Sequence, residues 1–175
     1  MKMKITDNFL DSLSFTKIKE NICNQYFPWT WGDGVVYDPK QINTIDPLYN
    51  FQFVHVFYHQ MRDNLSNVRI SEEFPILKPI LDQVKPKRIL RIKANLNVVT
   101  PNIIQHGFHR DYDDIECKTS ILYLNTNNGY TEFRDGTKID SVENRLVTFD
   151  VGMEHTGSSC TDNQRRMTIN FNWVL

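Results

Sequence analysis

Alternation of polar and apolar side chains constrains this chain more than any other feature. In "RILRIKANLNVV", residues 88–99, Leu90, Ile92, Ala94, Leu96 and Val98 share one face of an extended strand, while Arg91, Lys93, Asn95 and Asn97 share the other. Successive side chains of a strand point to opposite sides, so this pattern sorts cleanly only at a period of two. "RRMTINFNW", residues 165–173, repeats it, with Met167, Ile169, Phe171 and Trp173 on one face and Arg166, Thr168, Asn170 and Asn172 on the other. Strands of this kind pack on one side and stay wet on the other. The polar side either faces solvent or, where two sheets close on each other, lines a shared cavity.

From residue 88 onward turn signals recur at intervals of roughly ten residues, the rhythm of a sandwich or barrel. Strands are expected near 88–98, 106–112, 118–125, 130–135, 137–140, 145–150, 153–157 and 165–174. Eight short strands make a jelly-roll count. "NNG" at 127–129 and "DG" at 135–136 read as hairpin turns, because they accept the positive φ that tight hairpins need. Residues 1–87 read as helical and irregular support. Phe15, Ile18 and Ile22 recur at helical spacing after Asp11-Ser12, and Ile76, Leu77, Ile80, Leu81 and Val84 do so after Glu73. Pro75 suits a first turn, and Pro79 is expected to kink this second helix. Between the two, "FPWTWGDGVVYDP" is aromatic and turn-rich, and "FQFVHVFYHQ" alternates like a strand. The aromatic segment 26–34 reads as a packed loop, with a lid or substrate wall as its other use. The expected fold is mainly β with N-terminal helices, one domain over 1–175 whose jelly-roll core is 88–175.

Composition narrows the function classes. A chain of 175 residues, 40% hydrophobic, can bury a sizeable core. Net charge of -1 and a pI of about 6.5 supply no basic field, so no nucleic-acid partner is expected. The N-terminus has no apolar stretch of secretory length and no run approaches a membrane span, which points to the cytoplasm. Cys23, Cys117 and Cys160 are odd in number and far apart, and read as reduced thiols.

The chemistry concentrates in "HGFHRDYDDIE", residues 106–116. In a strand His109 and Asp111 project to the same side, near enough to grip one ion, while His106 falls on the opposite face with Phe108 and Arg110. Asp113, Asp114 and Glu116 read as a solvated loop. A lone His-x-Asp is also an ordinary surface pair, so a third ligand is needed, and His155 is the candidate downstream. His55 has the parity of Phe51, Phe53 and Phe57 and reads as a hydrogen-bonded core histidine. Two histidines and one carboxylate on one face of an ion leave three positions open, which suits non-haem Fe(II).

The order His-x-Asp, "SILYLN", "GYTEF", a distal histidine and "RRMTINFNW", over residues 88–174 and with "ITDNFL" near the start, resembles the 2-oxoglutarate- and Fe(II)-dependent oxygenases. It is most similar to the prolyl-4-hydroxylase-like branch and, within it, to small stand-alone members of the kind carried by phages, which would act in the cytoplasm of an infected host cell. The resemblance implies a double-stranded β-helix (a jelly roll, cupin-like), with Fe(II) held by His109, Asp111 and His155. It also implies 2-oxoglutarate as cosubstrate, its distal carboxylate held by a basic residue of the final strand. Arg165 and Arg166 compete for that role, and parity with Thr168 and Asn170 favours Arg166. The Thr168 hydroxyl and the Tyr123 phenol would share the carboxylate, Tyr123 being otherwise a core aromatic. Asn95, on the same face, would orient 2-oxoglutarate or substrate, whereas Asn97 reads as a solvated strand residue. The implied reaction consumes O2, decarboxylates 2-oxoglutarate to succinate and hydroxylates a peptidyl proline or a small molecule.

Two departures from the family pattern bear on the cavity mouth: Gly129-Tyr130 where many relatives have Gly-Gly, and Asn144-Arg145 where a glycine is usual, although Asn tolerates positive φ. Two other function classes remain open. A non-catalytic cupin-like metal- or ligand-binding protein needs no arginine buried across from the metal. A zinc hydrolase wants an added general base, for which Asp113 is the only neighbour.

Overall fold

The two most strongly alternating segments lie side by side in the main sheet. β5 (Arg88–Val98) and β11 (Arg165–Val174) pair antiparallel, with Asn95 opposite Thr168, Asn97 opposite Arg166 and Ala94 opposite Ile169, so their polar faces coincide. The computed structural model describes residues 3–35, 45–61 and 67–175, so residues 36–39 of the aromatic segment lie outside the described residues.

Around that pair stand β1 (Met3–Thr6), β9 (Leu146–Asp150), β6 (Lys118–Tyr123), β3 (Gln52–Gln60) and β2 (Thr30–Gly32), in the order β1-β9-β6-β11-β5-β3-β2, with β4 (Val68–Ile70) beside β3. A smaller sheet has the order β10 (His155–Gly157), β7 (Tyr130–Phe133), β8 (Lys138–Asp140). All these pairings are antiparallel. The N-terminal part thus supplies β1 to β4 at both ends of the main sheet, more strand than helical and irregular support implies.

The apolar face of the main sheet is covered by helices. α1 (Ser12–Cys23) begins where the Asp11 carboxylate accepts the Ser14 N–H at 2.9 Å, an N-cap that satisfies one orphan donor of the first turn. Its Phe15, Ile18 and Ile22 are buried with Ile92, Ala94, Met167, Ile169, Phe171 and Trp173 in one cluster. Each of the Ile, Phe and Met side chains contributes roughly 1.5–3 kcal/mol by leaving water. With that face packed, the polar face of β5 and β11 is turned into a cavity rather than to solvent. A second cluster, Ile121, Tyr123, Phe133, Ile139, Val147 and Phe149, packs the smaller sheet against the larger.

Several expectations are corrected. Pro79 makes no kink. A 3-10 turn over Phe74–Leu77 leads into α2 (Lys78–Val84), and Pro79 occupies its first turn, where a missing N–H costs nothing. Residues 106–112 form no strand, and the isolated bridges Gln105 to Ser158 and His109 to His155 are its sheet-like ties. "NNG" makes no hairpin. It carries the chain from β6 to β7 between sheets, the Asn127 side chain accepting the Gly129 N–H at 3.0 Å. "DG" is the hairpin expected, Gly136 taking φ 86° between β7 and β8. A bulge between Asn172 and Trp173 shifts the β5–β11 register, and Leu90 leaves the helix-facing row to pack with Tyr112 and Cys117.

Asn144 does take positive φ, 58°, and its carboxamide holds both the N–H and the C=O of Leu10, at 3.0 and 2.8 Å. The three cysteines are free thiols. No helix among the described residues is long and apolar enough to cross a membrane.

Candidate active site

A cavity of about 330 Å³ lies between the sheets. β5 and β11 line it with the polar row read from the sequence, Arg91, Lys93, Asn95 and Asn97 facing Arg166, Thr168 and Asn170. The irregular stretch 106–111 closes one side, and His155, on β10, completes it.

His109, Asp111 and His155 come together here, with one candidate ligand atom from each lying within 4.8 Å of the others. Paired backbone hydrogen bonds between His109 and His155, at 2.9 and 3.0 Å, hold the two histidines in register without a strand. Each ring is oriented the same way. His109 Nδ1 meets the Gly107 carbonyl at 3.1 Å and His155 Nδ1 meets the Met153 carbonyl at 3.2 Å. A carbonyl only accepts, so Nδ1 carries the proton and Nε2 presents a lone pair. His155 Nε2 is buried and has no hydrogen-bond partner among the described residues. Burial first, then the neighbouring His109, pulls the His155 pKa down to about 4, which keeps the ring neutral and able to ligate. Phe149 packs against it at 4.8 Å between ring centroids.

Asp111 is held from three sides. Arg91 donates to Oδ1 at 2.6 Å, and Asn172 and Thr119 donate to Oδ2 at 2.9 and 3.0 Å. Burial alone pushes the Asp111 carboxyl up. Arg91, then the two histidines and Asn172, more than reverse this, and the group stays ionised well below the usual carboxylate range. One Asp111 oxygen stands 4.0 Å from His109 Nε2. Two imidazoles whose Nδ1 is turned to a carbonyl, leaving Nε2 to ligate, and an ionised carboxylate are a donor set that fits a divalent transition-metal ion.

Further along the same strands the cavity is lined by Arg166, which is 4% exposed. Its guanidinium donates to Ser141 Oγ at 2.8 Å and Thr131 Oγ1 at 3.2 Å and lies 5.6 Å from the Tyr123 ring centroid. Burial lowers its pKa, yet an arginine remains a cation. Arg165 does not line the cavity. Tyr123 lies beneath it, fully buried, its phenol donating to Thr131 Oγ1 at 2.8 Å rather than opening into the cavity. Thr131 accepts from both Arg166 and Tyr123, which leaves its own proton to donate to a ligand. Thr168 and Asn95 are buried and line the cavity. Asn97 is not a solvated residue. It is buried at 6% exposure, opposite Arg166, and its Nδ2 has no partner among the described residues. A buried amide donor without an acceptor costs about 1–3 kcal/mol, so an acceptor brought by a ligand beside Arg166 is favoured there.

Sequence reasoning missed Arg91, Thr119, Asn172, Thr131 and His106. The loss of strand geometry before His109 brings His106 into the cavity wall with it, against the parity expectation, and burial, Arg166 and His109 pull its pKa down to about 3. The partners of Asp111 were readable only as polar members of strand faces. His55 is the structural histidine expected, bonded to the Pro28 carbonyl at 3.0 Å and Ser71 Oγ at 2.9 Å. In the segment 26–34, Phe27 is buried against Trp29 and His55, whereas Tyr26 and Trp31 are exposed.

No protein-family model matches the sequence, and no curated protein matches it. Solved structures do match. A prolyl hydroxylase from Trichoplax adhaerens, in complex with a hypoxia inducible factor oxygen degradation domain peptide, aligns with a TM-score of 0.68 at 15% identity, over 99% of this chain and 83% of its own. An oxidoreductase of the 2-oxoglutarate-Fe(II) oxygenase family from Burkholderia pseudomallei aligns with a TM-score of 0.69 at 10% identity, over 99% and 85%. A Pseudomonas putida prolyl-4-hydroxylase aligns with a TM-score of 0.54 at 12% identity, over 99% and 93%. The chain therefore has the double-stranded β-helix fold of prolyl hydroxylases and 2-oxoglutarate-Fe(II) oxygenases.

Proposed function

We propose that this protein is a 2-oxoglutarate- and Fe(II)-dependent dioxygenase that hydroxylates a small molecule or a peptide. One observation carries the reading: the two buried side-chain polar atoms without partners among the described residues, His155 Nε2 and Asn97 Nδ2, belong to residues lining one cavity. The first is a lone pair awaiting an electrophile beside His109 and Asp111, and the second is a donor awaiting an acceptor beside Arg166.

In this reading His109, Asp111 and His155 hold Fe(II), and Arg166 takes the distal carboxylate of 2-oxoglutarate through charge-assisted hydrogen bonds. Asn97 Nδ2 and the Thr131 hydroxyl add donors, and Thr168 and Asn95 shape the same wall. Tyr123 acts from beneath, fixing Thr131. Bound Fe(II) with 2-oxoglutarate would supply the oxidising power, taken from O2 as the cosubstrate is decarboxylated to succinate. The chain's own tasks are to orient both imidazoles by their Nδ1 carbonyl contacts, to keep His155 neutral and Asp111 ionised, and to exclude water from the packed side of the cavity. A cupin-like module that binds metal without turnover gives the buried Arg166 and the orphan Asn97 donor no ligand to meet.

The test is an anaerobic titration with Fe(II) and then 2-oxoglutarate, following the weak visible charge-transfer band of the chelated complex. The band is expected to need both additions and to disappear in His109→Ala and Asp111→Ala. Arg166→Ala should weaken 2-oxoglutarate about tenfold or more, the scale of a lost charged hydrogen bond, and Arg165→Ala should leave it unchanged. Bound iron without a band would favour the non-catalytic module.

A further inference from the structure

Two charged residues of the cavity, Lys93 and Arg110, have no part in the proposed chemistry, and of these Arg110 is exposed and paired with Asp113 at 3.8 Å, which leaves Lys93. β5 places it between Arg91 and Asn95 on the cavity side, opposite Asn170, which lines the same wall. It is half-buried, and among the described residues no hydrogen bond or ion pair engages its amine. The acid nearest to hand, Asp111, is already bonded to Arg91 at 2.6 Å. Burial, then repulsion from Arg91, outweighs the pull of Asp111 and brings the Lys93 pKa down to about 8. An ammonium in that setting is short of a counter-ion.

Charge balance sharpens the point. A divalent ion on Asp111 and a dicarboxylate on Arg166 cancel among themselves, Arg110 is balanced at the exposed rim by Asp113, and Arg91 and Lys93 are left as surplus positive charge inside the cavity. A low-dielectric wall makes such a surplus costly unless a further anion arrives. The cavity, at about 330 Å³, is at the small end of ligand pockets and must also hold the cosubstrate, so that anion is compact.

We infer that the substrate carries a carboxylate and that Lys93 is the residue that pairs with it, an inference that rests on the oxygenase reading above. Arg91 adds to the field but is committed to Asp111, so Lys93 is the specificity-determining group. The substrate class is a small carboxylic acid, free or presented as an acidic side chain.

The test uses the Fe(II) protein saturated with 2-oxoglutarate under anaerobic conditions, with propionate and its uncharged isostere propionamide as probes and the charge-transfer band as readout. Saturating 2-oxoglutarate keeps Arg166 occupied. Propionate is expected to perturb the band saturably and propionamide not to. In Lys93→Met propionate binding should weaken at least tenfold with 2-oxoglutarate affinity intact, and Lys93→Arg should retain it. Equal responses to the two probes, no response, or an equal response in wild type and Lys93→Met overturns the inference. So does a loss of 2-oxoglutarate affinity in Lys93→Met, which would assign Lys93 to the cosubstrate. A missing band in the wild type fails the oxygenase reading itself, and the inference with it, a result distinct from a band that ignores propionate.

Discussion

Both oxygens of Asp111 are engaged before any ion arrives, and this sets what neighbouring residues are worth. Asn172 bonds Oδ2 and also takes Arg91 Nε on its own Oδ1 at 3.1 Å, so one carboxamide orients the carboxylate and the cation that holds it ionised. Outer partners of this kind typically tune metal affinity about 10- to 100-fold. Asn172→Ala is therefore expected to weaken Mn(II) or Fe(II) binding within that range, and Thr119→Val, which removes one donor and keeps the shape, to weaken it less. Calorimetric titration of the metal-free protein checks both. Residue placement was readable where alternation was strict: the parity that separates Arg166 from Arg165 puts the former's side chain in the cavity. It failed for His106 and Leu90, where a missing strand and a bulge break the two-residue period. The bonds from Arg91 and Asn172 to Asp111 link residues 20 and 61 positions away, a proximity that no local pattern encodes.

At the scale of elements, the passage from β6 to β7 is the joint on which the Arg166 side of the cavity depends. A Cβ at Gly129 would stand 2.6 Å from Arg166 Cδ, 2.6 Å from the Ser159 carbonyl and 2.8 Å from Asn127 Oδ1. Arg166 has room to give way, but the Ser159 backbone does not. Gly129→Ala should cost about 1–3 kcal/mol by overpacking and displace Arg166 toward the cavity. The expected signature is a lowered denaturation midpoint together with weaker 2-oxoglutarate binding, whereas Gly136→Ala, at an open turn with φ 86°, should lower stability alone. The sequence marked Gly129 as a turn, but its reason is close approach, not φ. Strands with two distinct faces, such as β5 and β11, declare themselves in sequence because one face must pack and the other must not. Residues 106–112 mimic that alternation while their backbone is held by two bridges, and nothing local separates the cases.

At the scale of the whole molecule, the same burial that keeps the His155 ring neutral makes the metal-free protein acid-sensitive. His155 and His106 have folded pKa values of about 4 and about 3, below the ordinary 6.5. The unfolded chain therefore takes up protons that the folded one refuses, and stability is full above about pH 6.5 and is lost as pH falls toward those values. Asp111 acts in the same direction, because its folded pKa is depressed below the ordinary 3.8, so that near the acid end of the window the unfolded chain takes up a proton there that the folded one refuses. A tenfold rise in proton concentration costs about 1.4 kcal/mol for each ring that stays neutral only when folded, so by pH ~4.5 the two rings together remove on the order of 5 kcal/mol. For a chain of 175 residues that corresponds to a fall in Tm on the order of 10 °C between about pH 7 and 4.5 in the metal-free protein. His106→Gln, which removes one of the two titrations without touching the proposed metal ligands, should flatten the profile by about half. A divalent ion on His109, Asp111 and His155 should raise Tm at about pH 7, and that gain should shrink only as the pH falls to about 4, where the proton begins to compete for the folded His155. Thermal melts of the apo- and Mn(II)-loaded protein across this range read all three effects, and a flat apo profile would mean that the two rings are not buried neutral in solution.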